Sequence, residues 1–302
     1  MFKIRTLGLL LAAGTMMATA AMAGPEITPA AEGFPLGKFQ AFALRDFANA
    51  LPNDGKVFGT DVGPGKVGAF LKTVGIKDDQ IKLSVDTLLV RTPDRVVLLD
   101  TGLGPKVGGV LMQSLAKAGF SPDQVTDILI THGHSDHIGG LLTTDGKPAF
   151  PKATIRMAAA EWAWIQSQPE NAALVTTLSP AVKTFEPGAV FVPGFRSVPL
   201  AGHTPGHVGY EIVSGTARLL DVGDTAHSSV VSLGHPEWGN GYDTDQDRGR
   251  TVRETELAKL AASHETIFAP HFPYPGVGAI VKAGSSYAWK PSTLPQAAKV
   301  AR

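Results

Sequence analysis

The sequence predicts a layered α/β fold, either a four-layered αββα sandwich or an ordinary three-layer α/β domain. Three observations lead there. Strand-like and helix-like segments alternate in two successive blocks, with no fixed-period repeat and no low-complexity tract. Of the 302 residues, 43% are hydrophobic and 18% charged, which is enough apolar material for a large interior and too little charge for a disordered chain. Several strand candidates also end in clusters of His, Asp and Gly rather than in plain turns.

Residues 1–23 read as a secretory signal peptide. Lys3 and Arg5 precede an apolar run that closes on Ala21-Met22-Ala23, a small-residue cleavage site. The run barely reaches the ~20 residues a membrane span needs, so an uncleaved anchor is the lesser reading. Residues 24–37, rich in Pro, Gly and Ala, are expected to be a flexible leader, with a single domain over 38–302. Strands are expected at 39–44 and, as a hairpin across Thr92-Pro93-Asp94-Arg95, at 81–90 and 96–100. A helix over 106–118 leads to a turn at Ser121-Pro122 and an apolar strand at 127–130. A helix at 158–168, a strand at 195–200 and a hairpin of 210–213 with 217–221 follow. A helix at 250–263 and a last core strand at 267–269 complete the pattern.

Composition removes several function classes. Lys+Arg and Asp+Glu both number 27, so no basic surplus exists to displace counterions from a nucleic acid, and none is expected as a partner. With no Cys, thiolate nucleophiles, disulfides and Cys-ligated metals are excluded, and any metal must sit on His and carboxylates. Nine His occur in the chain, and three of them, with a carboxylate, fall in His132-Gly133-His134-Ser135-Asp136-His137, directly after the 127–130 strand. Imidazoles crowded in this way suit Zn²⁺ and similar cations. Gly202-His203-Thr204-Pro205-Gly206-His207 and Asp221-Val222-Gly223-Asp224 also follow strands.

These motifs, with the late His271, resemble the metallo-β-lactamase superfamily of dinuclear hydrolases. The resemblance implies the αββα sandwich, with metals at one edge of its two sheets. It also implies one metal on His132, His134 and His203, a second on Asp136, His137 and His271, and Asp224 bridging both. Asp100 matches the carboxylate that orients a ligand imidazole, and His207 is a supporting residue behind the ligands or a turn former. Within the superfamily, Gly223-Asp224-Thr225-Ala226-His227, Tyr242-Asp243-Thr244-Asp245 and the 269–278 segment look most like secreted lactonases and the methyl-parathion-hydrolase group. The chain departs from the acyl-homoserine lactonase branch at His227, where that branch has Tyr, which points away from homoserine lactones as best substrates and leaves lactone opening as the reaction class.

The resulting expectation is a periplasmic or secreted hydrolase that opens lactones or aryl esters with a metal-bridging hydroxide and has organophosphate hydrolysis as a side activity. Asp136 or His227 would pass the proton to the leaving group. Trp238 and Tyr242, in the loop after Asp224, are candidate walls of the substrate pocket. Two divalent ions are implied, zinc by default, with manganese, cobalt or iron compatible with the same ligands. The expected partner is a small ester or lactone; membrane association is not expected after signal cleavage, and a homodimer is compatible with the resembled group. The alternatives are a β-lactamase, although the branch sharing His-x-His-x-Asp-His lacks the bridging Asp, a glyoxalase-like thioesterase, or a catalytically silent periplasmic metal binder.

Overall fold

A computed structural model describes residues 27–76 and 80–294, so the signal-peptide segment lies outside the described residues. Among these residues, fourteen strands form two seven-stranded sheets. The first contains, in spatial as in chain order, β1 (Ala31–Leu36), β2 (Phe39–Pro52), β3 (Gln80–Arg91), β4 (Val96–Leu99), β5 (Asp127–Leu129), β6 (Thr154–Ala158) and β7 (Val182–Phe185). The second contains β8 (Val190–Val192), β9 (Phe195–Pro199), β10 (Val208–Ser214), β11 (Ala217–Asp221), β12 (Ile267–Phe268), β13 (Val277–Ala283) and β14 (Ser286–Pro291). The chain passes between the sheets once, through residues 186–189, where Glu186, Pro187 and Gly188 are exposed.

Four layers follow from the strand sequences themselves. A strand sends successive side chains to opposite faces. In β2, Ala41 and Ala43 enter the core between the sheets, while Phe42 and Leu44 face outward beneath helices. Leu88 and Val90 alternate in the same way with Leu89, and Val97 and Leu99 with Leu98. These runs are apolar throughout because both faces are covered. The cover on the first sheet includes α2 (Leu111–Lys117), α4 (Ala159–Ser167) and α5 (Ala172–Leu178), which contribute Leu111, Leu115, Ile165 and Leu178. On the second sheet it includes α7 (Gln246–Ser263), through Leu257 and Leu260. A smaller cluster joins α1 (Pro64–Thr73) and α6 (Val231–Gly234) to β3. The αββα sandwich is therefore the fold, and the three-layer alternative is set aside. No described helix is long and apolar enough to cross a membrane.

Parallel pairing occurs only where a crossover can turn the chain around. The pairs β4–β5, β5–β6, β6–β7 and β11–β12 are parallel, and the others are antiparallel.

The leader reading of 24–37 is corrected. Residues 31–36 pair with 39–44 as β1, and Phe34 and Leu36 are buried between the sheets, so ordered structure begins before residue 38. The expected 106–118 helix is also shorter. Gly108 has φ 89, and the helix begins only at Leu111, where the Leu111 N–H donates to Asp46 Oδ1 at 2.9 Å. Asp46 sits at a bulge in β2 and also accepts from the Leu103 N–H at 2.7 Å; burial pushes its carboxyl up to about 6. Residues 267–269 are not the last strand, since β13 and β14 extend the sheet beyond β12. The 250–263 helix starts at Gln246, capped by the Asp245 side chain accepting from the Arg248 N–H at 3.0 Å.

Candidate metal centre

Two parallel pairs aim their C-terminal ends at one edge of the sandwich, which is where open α/β sheets place ligands. Asp100 leaves β4, and β5 runs into Thr131 and His132, with α3 (Ser135–Ile138) carrying Asp136 and His137. In the second sheet β11 runs into the turn that holds Asp224, and β12 into the segment that holds His271. The loop joining β9 to β10 supplies His203.

The donor atoms fall into two sets that share Asp224. In the first, His132 Nε2 is 3.1 Å from His134 Nδ1, which is 2.9 Å from His203 Nε2, and Asp224 Oδ2 lies 3.5 Å from His132 and 3.4 Å from His203. A tetrahedral zinc site with bonds of 2.0–2.1 Å has ligand–ligand edges of about 3.3 Å, so these four atoms are spaced as zinc ligands are. In the second, Asp224 Oδ1 is 3.2 Å from His137 Nε2, His271 Nε2 lies 3.1 Å from both Asp224 oxygens, and Asp136 Oδ2 lies 3.9 Å and 3.5 Å from the same two nitrogens. His137 Nε2 and Asp224 Oδ1 are buried without a hydrogen-bond partner, the state expected of atoms that ligate a cation. The residues present therefore fit two divalent ions bridged by Asp224.

Four of the ligands, His137, His203, His271 and Asp224, are held from behind. His137 Nδ1 is 2.7 Å from Asp100 Oδ2, and Asp100 also accepts from the Thr131 N–H and hydroxyl at 2.8 and 2.7 Å. His203 Nδ1 meets Asp243 Oδ1 at 2.9 Å, and Arg253 Nη1 donates to Asp243 Oδ2 at 3.2 Å. His271 Nδ1 donates to the Ser84 carbonyl at 2.8 Å. His207 Nε2 accepts the Asp224 N–H at 3.1 Å while its Nδ1 donates to the Leu200 carbonyl, so it positions the bridging residue through the backbone. Gly223, at φ 47, is needed here, because a Cβ would lie 2.4 Å from His207 Nε2.

Glu161, at the start of α4, ties the two ligand loops of the first site together. It is fully buried, and its Oε1 accepts from the Gly133 N–H at 2.6 Å while Oε2 accepts from the Thr204 hydroxyl and the Gly206 N–H at 2.8 Å each. Burial still pushes its carboxyl above the usual range.

Charge is divided sharply within the centre. Burial, with neighbouring His137, drives His132 far below the ordinary imidazole range, and burial, with neighbouring His203, brings His134 down to about 3, so both present lone pairs. Burial opposes charge at His271 too, yet Asp224 and Asp136 lift it to about 9; His137 is raised well above its ordinary value against the same burial by Asp224, Asp100 and Asp136. Burial would raise Asp224, but His271, His137 and His227 around it hold it well below the carboxylate range. Metal must displace protons from His137 and His271, so apparent affinity should rise with pH up to about 9. Calorimetry in two buffers of different ionisation enthalpy should show proton release near neutral pH. Buffer-independent heats there would contradict this charge state.

The structure brings together all seven ligands inferred from the sequence, with Asp100 and His207 behind them. His227 lies with them, its Nε2 3.0 Å from Asp224 Oδ2, and the Tyr242 ring centroid is 5.5 Å from that of His227. Trp238 is not brought to the cluster: its ring stacks on His235 at 3.7 Å and meets Phe70 edge-on. Sequence reasoning missed Glu161, the roles of Asp243 and Arg253, and Asn240, whose side chain contacts His227. The only signal for Asp243 was its place in the Tyr242–Asp245 segment quoted for resemblance.

Comparison with known proteins gives a consistent picture. A solved structure described as AidC, a dizinc quorum-quenching lactonase in complex with the product N-hexanoyl-L-homoserine, is similar with a TM-score of 0.82 and 30% identity, over 89% of this chain and 99% of that one. The hydrolase AbOPH of the beta lactamase superfamily is similar with a TM-score of 0.79 and 27% identity, over 89% and 100% of the two chains. Metallo-beta-lactamase domain-containing protein 1 of Mus musculus is 53% identical over 59 residues, only 20% of either chain. The family model of the metallo-beta-lactamase superfamily matches residues 81–271, a span that holds every ligand above. The chain belongs to the metallo-beta-lactamase superfamily.

Proposed function

We propose that this protein is an exported two-metal hydrolase that opens lactones and aryl esters, with zinc as its resident metal and organophosphate triesters as poorer substrates. The observation that carries the reading is Asp224, which sends one oxygen into each of two buried ligand sets. Similarity across nearly the whole chain to a dizinc lactonase supports the substrate class. Two bound cations would supply a Lewis acid for the scissile carbonyl and an activated water near neutral pH. The chain itself supplies position and shape. Asp136, whose side chain is 27% exposed, is the acidic ligand open to the cleft and is placed to relay a proton. A cavity of about 570 Å³ opens beside Ser228, the residue after His227; Leu71, Ile81, Val230 and Pro273 line it together with Gln80, Lys82 and Ser228, and its size suits an acyl or aryl group.

Dihydrocoumarin, a homoserine lactone, an aryl acetate, paraoxon and nitrocefin test the reading on mature, metal-loaded protein. Elemental analysis should find two ions per chain, and lactones and aryl acetate should be turned over until a chelator removes them. Nitrocefin turnover without lactone opening would favour the β-lactamase alternative. No turnover of any substrate at full metal loading would favour a silent metal binder.

A further inference from the structure

The histidines of the centre differ in what stands behind the ring, and this decides which nitrogen carries the proton. Nδ1 of His137 and of His203 faces a carboxylate, and Nδ1 of His271 faces a carbonyl. Nδ1 of His132 faces the Thr131 hydroxyl, whose own hydrogen is directed to Asp100 Oδ2. All four therefore hold a hydrogen on Nδ1 and turn Nε2 toward the cation site. His227 is wired the other way. Its Nδ1 lies 2.8 Å from Asn240 Nδ2, an amide nitrogen that can only donate. The amide cannot be turned over, because Asn240 Oδ1 already accepts from the Tyr242 N–H at 3.0 Å and a flip would set two donors face to face. Asn240 is itself fixed. It is buried, its backbone bridges to Phe58, and its carbonyl accepts from the Asp243 N–H at 3.1 Å.

We propose that Asn240 is a positioning residue that locks His227 in the Nε2–H form, making it a fixed hydrogen-bond donor to the developing oxyanion rather than a metal ligand or a proton donor. Spacing alone would admit His227 as a ligand, since its nitrogen groups with Asp224 and His271. Its Nε2 is buried 3.0 Å from Asp224 Oδ2, so the Nε2–H form directs a donor at the centre. It cannot serve as a general acid. Releasing the Nε2 proton would leave an imidazolate unless Nδ1 first took a proton, and Nδ1 faces an N–H. The leaving alkoxide must therefore take its proton elsewhere, and Asp136 is the group placed to pass it. Of the two groups the sequence offered for proton transfer, Asp136 keeps that role on this proposal and His227 takes the donor role instead. The catalytic part of the proposal rests on the hydrolase reading above, whereas the tautomer does not.

The test combines ¹⁵N NMR of histidine-labelled protein with a leaving-group series. In metal-free and loaded wild-type protein, the His227 signals, assigned by their absence in His227→Gln, should show a bare Nδ1 and a protonated Nε2. Asn240→Asp should reverse that pattern. His227→Leu and Asn240→Asp should both lower kcat/KM by about 10²–10³-fold, the scale of losing one oxyanion donor. The loss should be the same for activated aryl esters and aliphatic lactones, at unchanged metal content. A protonated Nδ1 in wild-type protein, or a loss that steepens with leaving-group pKa, would overturn the proposal. Should the protein hydrolyse none of these substrates, the NMR pattern still decides the tautomer, and failure of the hydrolase reading stays separate from failure of this one.

Discussion

Asp224→Ala should bind fewer than two metal ions per chain and lose at least about 10³-fold in kcat/KM. Asp224 is the single residue shared by both ligand sets, with Oδ2 toward His132 and His203, Oδ1 toward His137, and His271 Nε2 3.1 Å from both oxygens. Without it, two dications about 3.5–4 Å apart would face each other across one less negative charge, in a setting too buried for water to screen them. The first set keeps three imidazoles, so its ion should survive better than the second. The rate follows because a bound cation contributes several kcal/mol to the transition state, and each 1.36 kcal/mol is tenfold. Elemental analysis after gel filtration, with lactone turnover on the same sample, reads both effects. Two ions per chain and wild-type turnover would reduce Asp224 to a turn residue.

Glu161→Ala should be the most destabilising change outside the ligands. The carboxylate is fully buried and satisfies three donors on two loops, the Gly133 and Gly206 N–H groups and the Thr204 hydroxyl. Alanine would leave all three unpaired, at about 1–3 kcal/mol for each buried group, partly offset by water entering the void. A net loss of roughly 3–5 kcal/mol, or about 10 °C in Tm, is expected. The same bonds set the spacing of His132 and His134 against His203, so affinity at the first metal site should fall by about 10–100-fold. Glu161→Gln should land between the two proteins, because Oε1 of the amide can serve the Thr204 and Gly206 donors while its NH₂ meets the Gly133 N–H. A Tm within 2 °C of wild type for the alanine variant, a bound set by the same scale, would show that the loops hold without it.

The contrast between these two residues shows what the sequence could disclose. Four ligands lie within His132–His137, so chain order alone advertises them, and the resemblance of later motifs supplied His203, Asp224 and His271. Glu161 sits in Ala160-Glu161-Trp162, where it reads as an ordinary acid in a helix's first turn. Its meaning comes from partners 28 to 45 residues away. Asp243 and Asn240 were hidden for the same reason, since each acts on an imidazole that only the fold brings close. The strands were legible where both faces were covered, as at 96–99, because the unbroken apolar run Val96–Leu99 leaves little else to infer. β1 was not, because its Gly and Pro suggested a leader, and its core contacts depend on pairing with the next strand. β13 and β14 carry intermediate and exposed positions throughout much of their length, so they lack the apolar run that marks a core strand.

The single passage between the sheets divides the centre evenly. Residues before the exposed turn at 186–189 provide His132, His134, Asp136 and His137, and residues after it provide His203, Asp224 and His271. Each ion would take two residues from either half: His132 and His134 with His203 and Asp224, and Asp136 and His137 with Asp224 and His271. Bound metals would thus act as clasps between two separately woven fabrics. A chain nicked at Pro187 or Gly188 would yield two fragments, neither of which could bind either ion with its full ligand set. Their reassembly would draw on the apolar core shared by the two sheets and be strengthened by added metal, which makes this turn the natural seam for a split, metal-assisted version of the protein.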